Sequence, residues 1–127
     1  MRYLLDTHTV LWFAENSTHL SETAKKLILD LNHEKYVSLV SAWEVALKIS
    51  KKKLKLDGGV REFFHIIDDN GFIVLPLKKE HIEIVSKLPF IHSDPFDRLF
   101  IASVIFDRMI FITADENIHA YNIDCAW

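Results

Sequence analysis

Four carboxylates stand where this chain could gather a metal ion. Asp6 directly follows a short strand-forming run, Arg2 to Leu5. Asp115 lies just past a second such run, in Thr113-Ala114-Asp115-Glu116-Asn117. Glu44 falls in the first turn of a helix that follows a strand, and Asp97 in the first turn of a helix opened by Asp94 and Pro95. Carboxylates brought together repel one another, and a cation relieves that cost. Oxygen ligands of this kind suit a hard ion such as Mg²⁺, with Mn²⁺ able to take the same set. Such an ion polarises a phosphoryl oxygen and lowers the pKa of a water, which favours phosphodiester hydrolysis over acyl or hydride chemistry. Taken singly, each acid is equally a cap or turn former. Four acids at equivalent places in successive units point to a site.

The elements that must position them alternate in type. Strands are expected at Arg2–Leu5, Tyr36–Val40, Phe72–Leu75 and Met109–Thr113, with a short edge strand at Ile123–Ala126. Helices are expected at Thr9–Ala14, from the cap Ser21 to about Asn32, from Ser41 onward, at Val60–Asp69, at Glu80–Leu88 and from Pro95 to about Arg108. Ala24, Leu27, Ile28 and Leu31 would form the buried stripe of the second helix, and Ser41 with Glu44 a capping box for the third. A helical turn should follow Asp115. This alternation predicts an α/β fold, a central parallel sheet of four to five strands covered on both faces. Right-handed crossovers bring every strand's C-terminal end to one rim, where such sheets bind ligands near the switch in strand order. Asp97 reaches that rim only if the loop before Pro95 crosses it.

Composition is consistent with this reading. The 127 residues are 50% hydrophobic and 26% charged, with three Gly, three Pro and one Cys. That length supports one core and predicts a single domain over 1–127. The lone Cys125 excludes an internal disulfide framework and a cysteine-based zinc site. No run is long enough to span a membrane and no signal peptide is evident, so the cytoplasm is the expected compartment. The formal charge of −3 argues weakly against a nucleic-acid binder. Acids pooled in a metal site would reverse that argument, because the ion inverts the local field.

At these residues the chain resembles a known family. Leu4-Leu5-Asp6-Thr7-His8-Thr9-Val10-Leu11-Trp12 resembles the opening motif of PIN-domain nucleases in the VapC-like toxin subgroup. Ser41-Ala42-Trp43-Glu44-Val45-Ala46-Leu47-Lys48 is similar to the second motif. His92-Ser93-Asp94-Pro95-Phe96-Asp97-Arg98-Leu99-Phe100-Ile101-Ala102 is similar to the third and most specific one, and Thr113-Ala114-Asp115 to the short fourth. The likeness runs over essentially the whole chain. It implies a three-layer α/β/α sandwich and a Mg²⁺- or Mn²⁺-dependent endoribonuclease, the toxin of a toxin–antitoxin pair. A homodimer and a cognate VapB-like antitoxin whose peptide blocks the groove are implied as partners. Carried over by motif, Asp6 and Asp97 are the principal metal ligands. Glu44 and Asp115 complete the site directly or through water, and Asp94 caps its helix and supports the ligands. One departure is Lys51-Lys52-Lys53-Leu54, where relatives often carry Gly-Lys-Leu.

Other residues admit two readings. Lys48, Lys51, Lys52 and Lys55 share a helix face with Glu44 if that helix continues to Lys55, and could grip RNA phosphates. They could equally form a solvated face with a Glu44–Lys48 pair. Arg98 could contact phosphate or make a structural ion pair. His8 and His92 could assist proton transfer but are expected to make local hydrogen bonds, and Trp12 and Trp43 could stack on bases but are expected to pack among apolar neighbours. The run Leu99 to Phe106 is expected to be core or subunit interface. The rival to a nuclease is a non-enzymatic receiver-like module, in which one strand-end acid accepts a phosphoryl group. Such modules usually carry paired acids after the first strand, whereas Thr7 and His8 follow Asp6 here.

Overall fold

The computed structural model describes residues 1–127. Five parallel strands form one sheet: β1 (Arg2–Leu5), β2 (Glu34–Ser38), β3 (Ile73–Leu75), β4 (Ile110–Ile112) and β5 (Cys125–Ala126). Their order is β3-β2-β1-β4-β5, so the chain leaves β1 in one direction and later returns to its other side. The switch in order therefore falls at β1, whose C-terminal end carries Asp6. The register pairs Leu5 with Val37 on one side and with Ile112 on the other.

Alternation along β1 divides the core. Tyr3 and Leu5 face one layer, with Val10, Ala24, Ile28, Val45, Phe63 and Ile67. Leu4 faces the other, with Leu75, Phe100, Ile101, Val104 and Phe111. The helices are α1 (Thr7–Ala14), α2 (Glu22–Leu29), α3 (Leu39–Ser50), α4 (Gly59–Asp69), α5 (Lys79–Val85) and α6 (Pro95–Asp107), and a 3₁₀ turn spans Glu116–Ala120. Helices on both faces of a parallel sheet make the three-layer α/β/α sandwich that the sequence pattern predicts.

Several element boundaries differ from expectation. The second strand begins and ends two residues early, at Glu34 and Ser38. Ser38, not Ser41, caps α3, its hydroxyl accepting from the Val40 N–H. Strand and helix thus join with no loop, and Ser41 is buried inside the helix. There is no Ser41–Glu44 capping box, which frees Glu44 for other contacts. Helix α2 stops at Leu29 because Asp30 turns extended, and Leu31 is 95% exposed rather than part of the stripe. Helix α5 ends at Val85, three residues short of Leu88. Its first turn is held by His81, whose Nδ1 accepts the Lys78 N–H while Nε2 lies 2.7 Å from Asp107 Oδ2.

Helix α3 ends at Ser50, so Lys51, Lys52 and Lys55 do not continue a face with Glu44. The N–H of Lys53 reaches the Lys48 carbonyl and that of Lys52 the Ile49 carbonyl, a Schellman closure. Lys52 occupies the left-handed position of that closure, with φ 59°. Glycine ordinarily takes this position, since a Cβ there meets the carbonyl that follows it. No helix is long and apolar enough to cross a membrane.

Candidate metal centre

Asp6 is built into the fold twice. As the cap of α1 it accepts the Thr9 N–H at 2.8 Å and the Thr9 hydroxyl at 2.7 Å, both on Oδ1. Its other oxygen accepts the Thr113 hydroxyl, which in turn accepts the N–H of Asp115 at 3.2 Å. The ends of β1 and β4 are therefore tied through Thr113. Burial pushes the Asp6 carboxyl above its ordinary value, against the hydrogen bonds from Thr113 and Thr9 and the field of His8.

Glu44 is only 5% exposed. Thr7 Oγ1, 3.0 Å from the Ser41 hydroxyl, donates to Glu44 Oε1 at 2.6 Å. Lys48 pairs with Oε2 at 2.7 Å. Placing Ser41 inside the helix is what lets these four side chains meet.

Asp97 comes to the rim on α6. Asp94 caps that helix, accepting the N–H of Phe96 at 2.8 Å and of Asp97 at 3.2 Å. The loop before Pro95 crosses the rim because Arg98 and Tyr121 hold it there. Arg98 Nη1 donates to the Pro89 carbonyl at 3.1 Å, and Nη2 to the Val85 carbonyl at 3.1 Å. The Tyr121 hydroxyl accepts the His92 N–H at 2.8 Å and donates to Pro89 O at 2.9 Å. Arg98 is 7% exposed and its guanidinium also lies 4.7 Å from the Phe90 ring centroid. Neither the phosphate contact nor the ion pair considered for it describes this environment. It anchors a loop through carbonyl oxygens instead.

That loop delivers His92. Its Nδ1 accepts the Asp94 N–H at 3.1 Å, so the ring proton belongs on Nε2. Nε2 lies 2.9 Å from Asp115 Oδ2 and 3.2 Å from Asp97 Oδ2. One histidine thus bridges two of the four acids. Asp115 also caps the 3₁₀ turn, accepting the Asn117 N–H at 2.9 Å.

The acids border one cleft of about 290 Å³, lined by Asp6, Glu44, Asp94, Asp97 and Asp115. Lys48, His8 and Trp12 also line it; Lys51, Lys52, Lys55 and Arg98 do not. A larger hollow of about 810 Å³ lies at the opposite end of the sheet, where Arg2, Glu34 and Ile110 begin their strands, and gathers no comparable set of acids. Asp97 registers the crowding. Burial first, and then the charges of Asp94, Asp6 and Glu44, push its carboxyl up to about 7, against the pull of His92. With the His92 Nε2–H between them, the Asp97 and Asp115 carboxylates lie within 4.8 Å of one another, close enough to share one ion that takes the place of that N–H. An oxygen-rich set with too little positive charge of its own fits a hard divalent cation.

Sequence reasoning missed the hydroxyls that orient the acids: Thr7, Thr9, Ser41 and Thr113. Each lies within three residues of an acid, before or after it, but hydroxyls are too common in such places to stand out. Trp43 was expected to pack among apolar neighbours. It is 56% exposed, and its ring meets the edge of Phe96 with centroids 5.1 Å apart. Leu99–Phe106 is largely core, with Ile105 and Phe106 exposed.

The comparisons with known proteins agree with this architecture. The PIN domain family model matches residues 3–123. Among curated proteins, no sequence matches this chain. The fold is similar to that in a structure of VapBC2 from Rickettsia felis bound to a promoter DNA fragment, with TM-score 0.76 and 14% identity, covering 99% of this chain and 98% of that one. It is similar to a chain of a toxin–antitoxin complex from Klebsiella pneumoniae, with TM-score 0.67 and 15% identity, covering 98% and 96%. It also resembles the PIN domain endonuclease Utp24, with TM-score 0.54 and 16% identity, covering 93% of this chain and 74% of that one. With a family match over nearly its whole length, the chain belongs to the PIN domain family.

Proposed function

We propose that residues 1–127 form one PIN domain that acts as a divalent-metal-dependent endoribonuclease, the toxin of a VapBC-type toxin–antitoxin pair in the cytoplasm. The observation that carries this reading is the meeting of Asp6, Glu44, Asp97 and Asp115 around one cleft at the C-terminal rim of the sheet. Membership of the PIN family supports the nuclease class, and an endonuclease stands among the similar folds. The similar VapBC and toxin–antitoxin structures support the toxin role and a VapB-like antitoxin partner, and the homodimer rests on the motif resemblance alone.

In this reading Asp6 and Asp97 hold Mg²⁺ or Mn²⁺ directly, and Glu44 and Asp115 complete the site directly or through water. A divalent ion, when bound, supplies charge neutralisation for the scissile phosphate and a water of lowered pKa. The chain's own residues set the geometry. Thr9 and Thr113 aim the two oxygens of Asp6. Thr7 and Lys48 hold Glu44. His92 keeps Asp97 and Asp115 together, and the cap at Asp94 orients the turn that carries Asp97. Hydroxyl and imidazole partners of this kind typically matter tenfold or more to a metal site.

Hydrolysis by water leaves the 2′-hydroxyl unused, so products carry 5′-phosphate and 3′-hydroxyl ends. Ligating cleaved fragments directly, without prior phosphorylation or end repair, tests this. Fragments that ligate support the mechanism, and 2′,3′-cyclic phosphates would refute it.

A further inference from the structure

One side of the acid cleft is aromatic. His8 and Trp12 line it beside Asp6, Glu44 and Asp97. They stand four residues apart on α1, hence on one face, with ring centroids 5.6 Å apart and planes tilted by 40°. Trp12 also stacks on His19 at 5.3 Å and 21°, and meets Trp127 at 5.9 Å. The Ser17 hydroxyl lies 3.1 Å from His19 Nδ1 and fixes that ring. Trp12 is thus flanked by three rings and rests on the core at a half-buried position, and His8 beside it is exposed. Neither ring makes a hydrogen bond that would account for its place on the cleft wall.

The charge of the cleft leaves a polyanion little to hold. Five carboxylates line it, and its one lysine, Lys48, is engaged by Glu44. Arg98 is committed to loop carbonyls. Even with a divalent ion bound, few protein cations remain near the scissile phosphate, so the usual electrostatic source of affinity is weak here. Fixed ring faces are the complementary source, because unpaired bases stack on aromatic and histidine side chains with little regard to sequence.

We propose that His8 and Trp12 form a stacking platform for one unpaired base of single-stranded RNA, adjacent to the phosphate held at the acids. The proposal rests on the ribonuclease reading and gives these two residues the part of positioning its substrate.

The test uses full-length protein carrying Asp97→Asn, which keeps RNA intact and removes one repelling charge. Short single-stranded RNAs carry 2-aminopurine, or an abasic site, at successive positions. At one position the 2-aminopurine fluorescence should quench on binding, and an abasic site there should weaken binding by about 5- to 100-fold. Adding His8→Ala or Trp12→Leu should abolish both effects, while Trp12→Phe should retain both. His8 is exposed, so its replacement leaves the fold intact and keeps the test meaningful if Trp12→Leu does not fold. Equal quenching and an equal abasic penalty in the parent and in His8→Ala would overturn the platform. RNA that the wild type cleaves and the Asp97→Asn protein binds with no position-specific penalty would overturn it alone. RNA that the wild type does not cleave and the Asp97→Asn protein does not bind would remove the nuclease reading beneath it as well.

Discussion

Thr113 donates its hydroxyl to Oδ2 of Asp6 across the seam between β4 and β1, joining residues 107 positions apart in the chain. The bond sits at the switch in strand order, and through it the Asp115 N–H is tied to the same carboxylate. It favours the charged form of a buried acid that burial otherwise pushes toward neutrality. Replacing the hydroxyl with a methyl should raise the Asp6 pKa further and loosen its orientation. Thr113→Val should weaken Mn²⁺ binding by roughly 10- to 100-fold, the usual effect of losing a partner that orients a ligand. Calorimetric titration of Mn²⁺ into the wild type and the variant measures this. Equal affinities would show that Asp6 needs no such orientation.

Asp97 sets a cost on the metal-free protein. Its carboxyl keeps a proton to about pH 7 when folded, whereas the unfolded chain releases it near 3.8. Between these values the folded state binds more protons, so this group makes stability fall as pH rises. Above pH 7 the full penalty remains, at most about 4 kcal/mol and less after local relaxation. Asp97→Asn should therefore stabilise the metal-free protein at pH 8 and change little at pH 4, as read by urea denaturation in EDTA. A variant less stable than wild type at pH 8 would contradict the repulsion. The same proton must leave when a metal binds, so apparent metal affinity should rise roughly tenfold per pH unit below 7.

The lysines separate into two groups. Lys48 belongs to the cleft through Glu44, whereas Lys51, Lys52 and Lys55 lie beyond the end of α3 and outside it. Reversing the charge of the latter three should reduce RNA affinity only through the long-range field, flatten its salt dependence and leave metal binding unchanged. Lys48→Met should instead leave Glu44 buried and under-compensated, costing about 1–3 kcal/mol in EDTA. Bound metal should restore part of that loss. Binding isotherms over a salt series, with thermal unfolding in EDTA and in Mn²⁺, distinguish the two groups. An RNA affinity unmoved by the triple reversal would assign those lysines to a solvated surface alone.

Lys52 holds a left-handed conformation at the closure of α3. Lys52→Gly removes the Cβ conflict and should stabilise the protein by about 0.5–1 kcal/mol, after the greater entropy of unfolded glycine is counted. Urea denaturation midpoints at constant slope test this. A destabilised variant would mean that the Lys52 side chain contributes more than its backbone strain costs.

Much of the frame was legible in the sequence. The strand after Met1, the caps Ser21 and Asp94, and Pro95 at the start of α6 each carry a local signal that the structure keeps. What failed was non-local. Ser38 and Ser41 are equally plausible caps on paper, and only the direct join of β2 to α3 selects Ser38. Lys51 to Lys53 contain no helix breaker, so the end of α3 is invisible until its Schellman bonds are seen. The grouping of the four acids followed from topology. The hydroxyls of Thr7 and Thr113, the histidine between Asp97 and Asp115 and the loop anchored by Arg98 and Tyr121 depend on contacts between distant segments. Trp43 reads as core by residue type, but its helix turns it toward solvent beside Phe96.

The central claim is that the acid cleft is a metal-dependent RNA-cutting site. Its most direct test incubates antitoxin-free protein and the Asp97→Asn variant with total cellular RNA in Mg²⁺, in Mn²⁺ and in EDTA, and maps new 5′ ends. Cuts at a small set of positions should form with either metal, and be absent in EDTA and in the variant. Folded wild-type protein that makes no cuts with either metal, or cuts equally well in EDTA, would contradict the account.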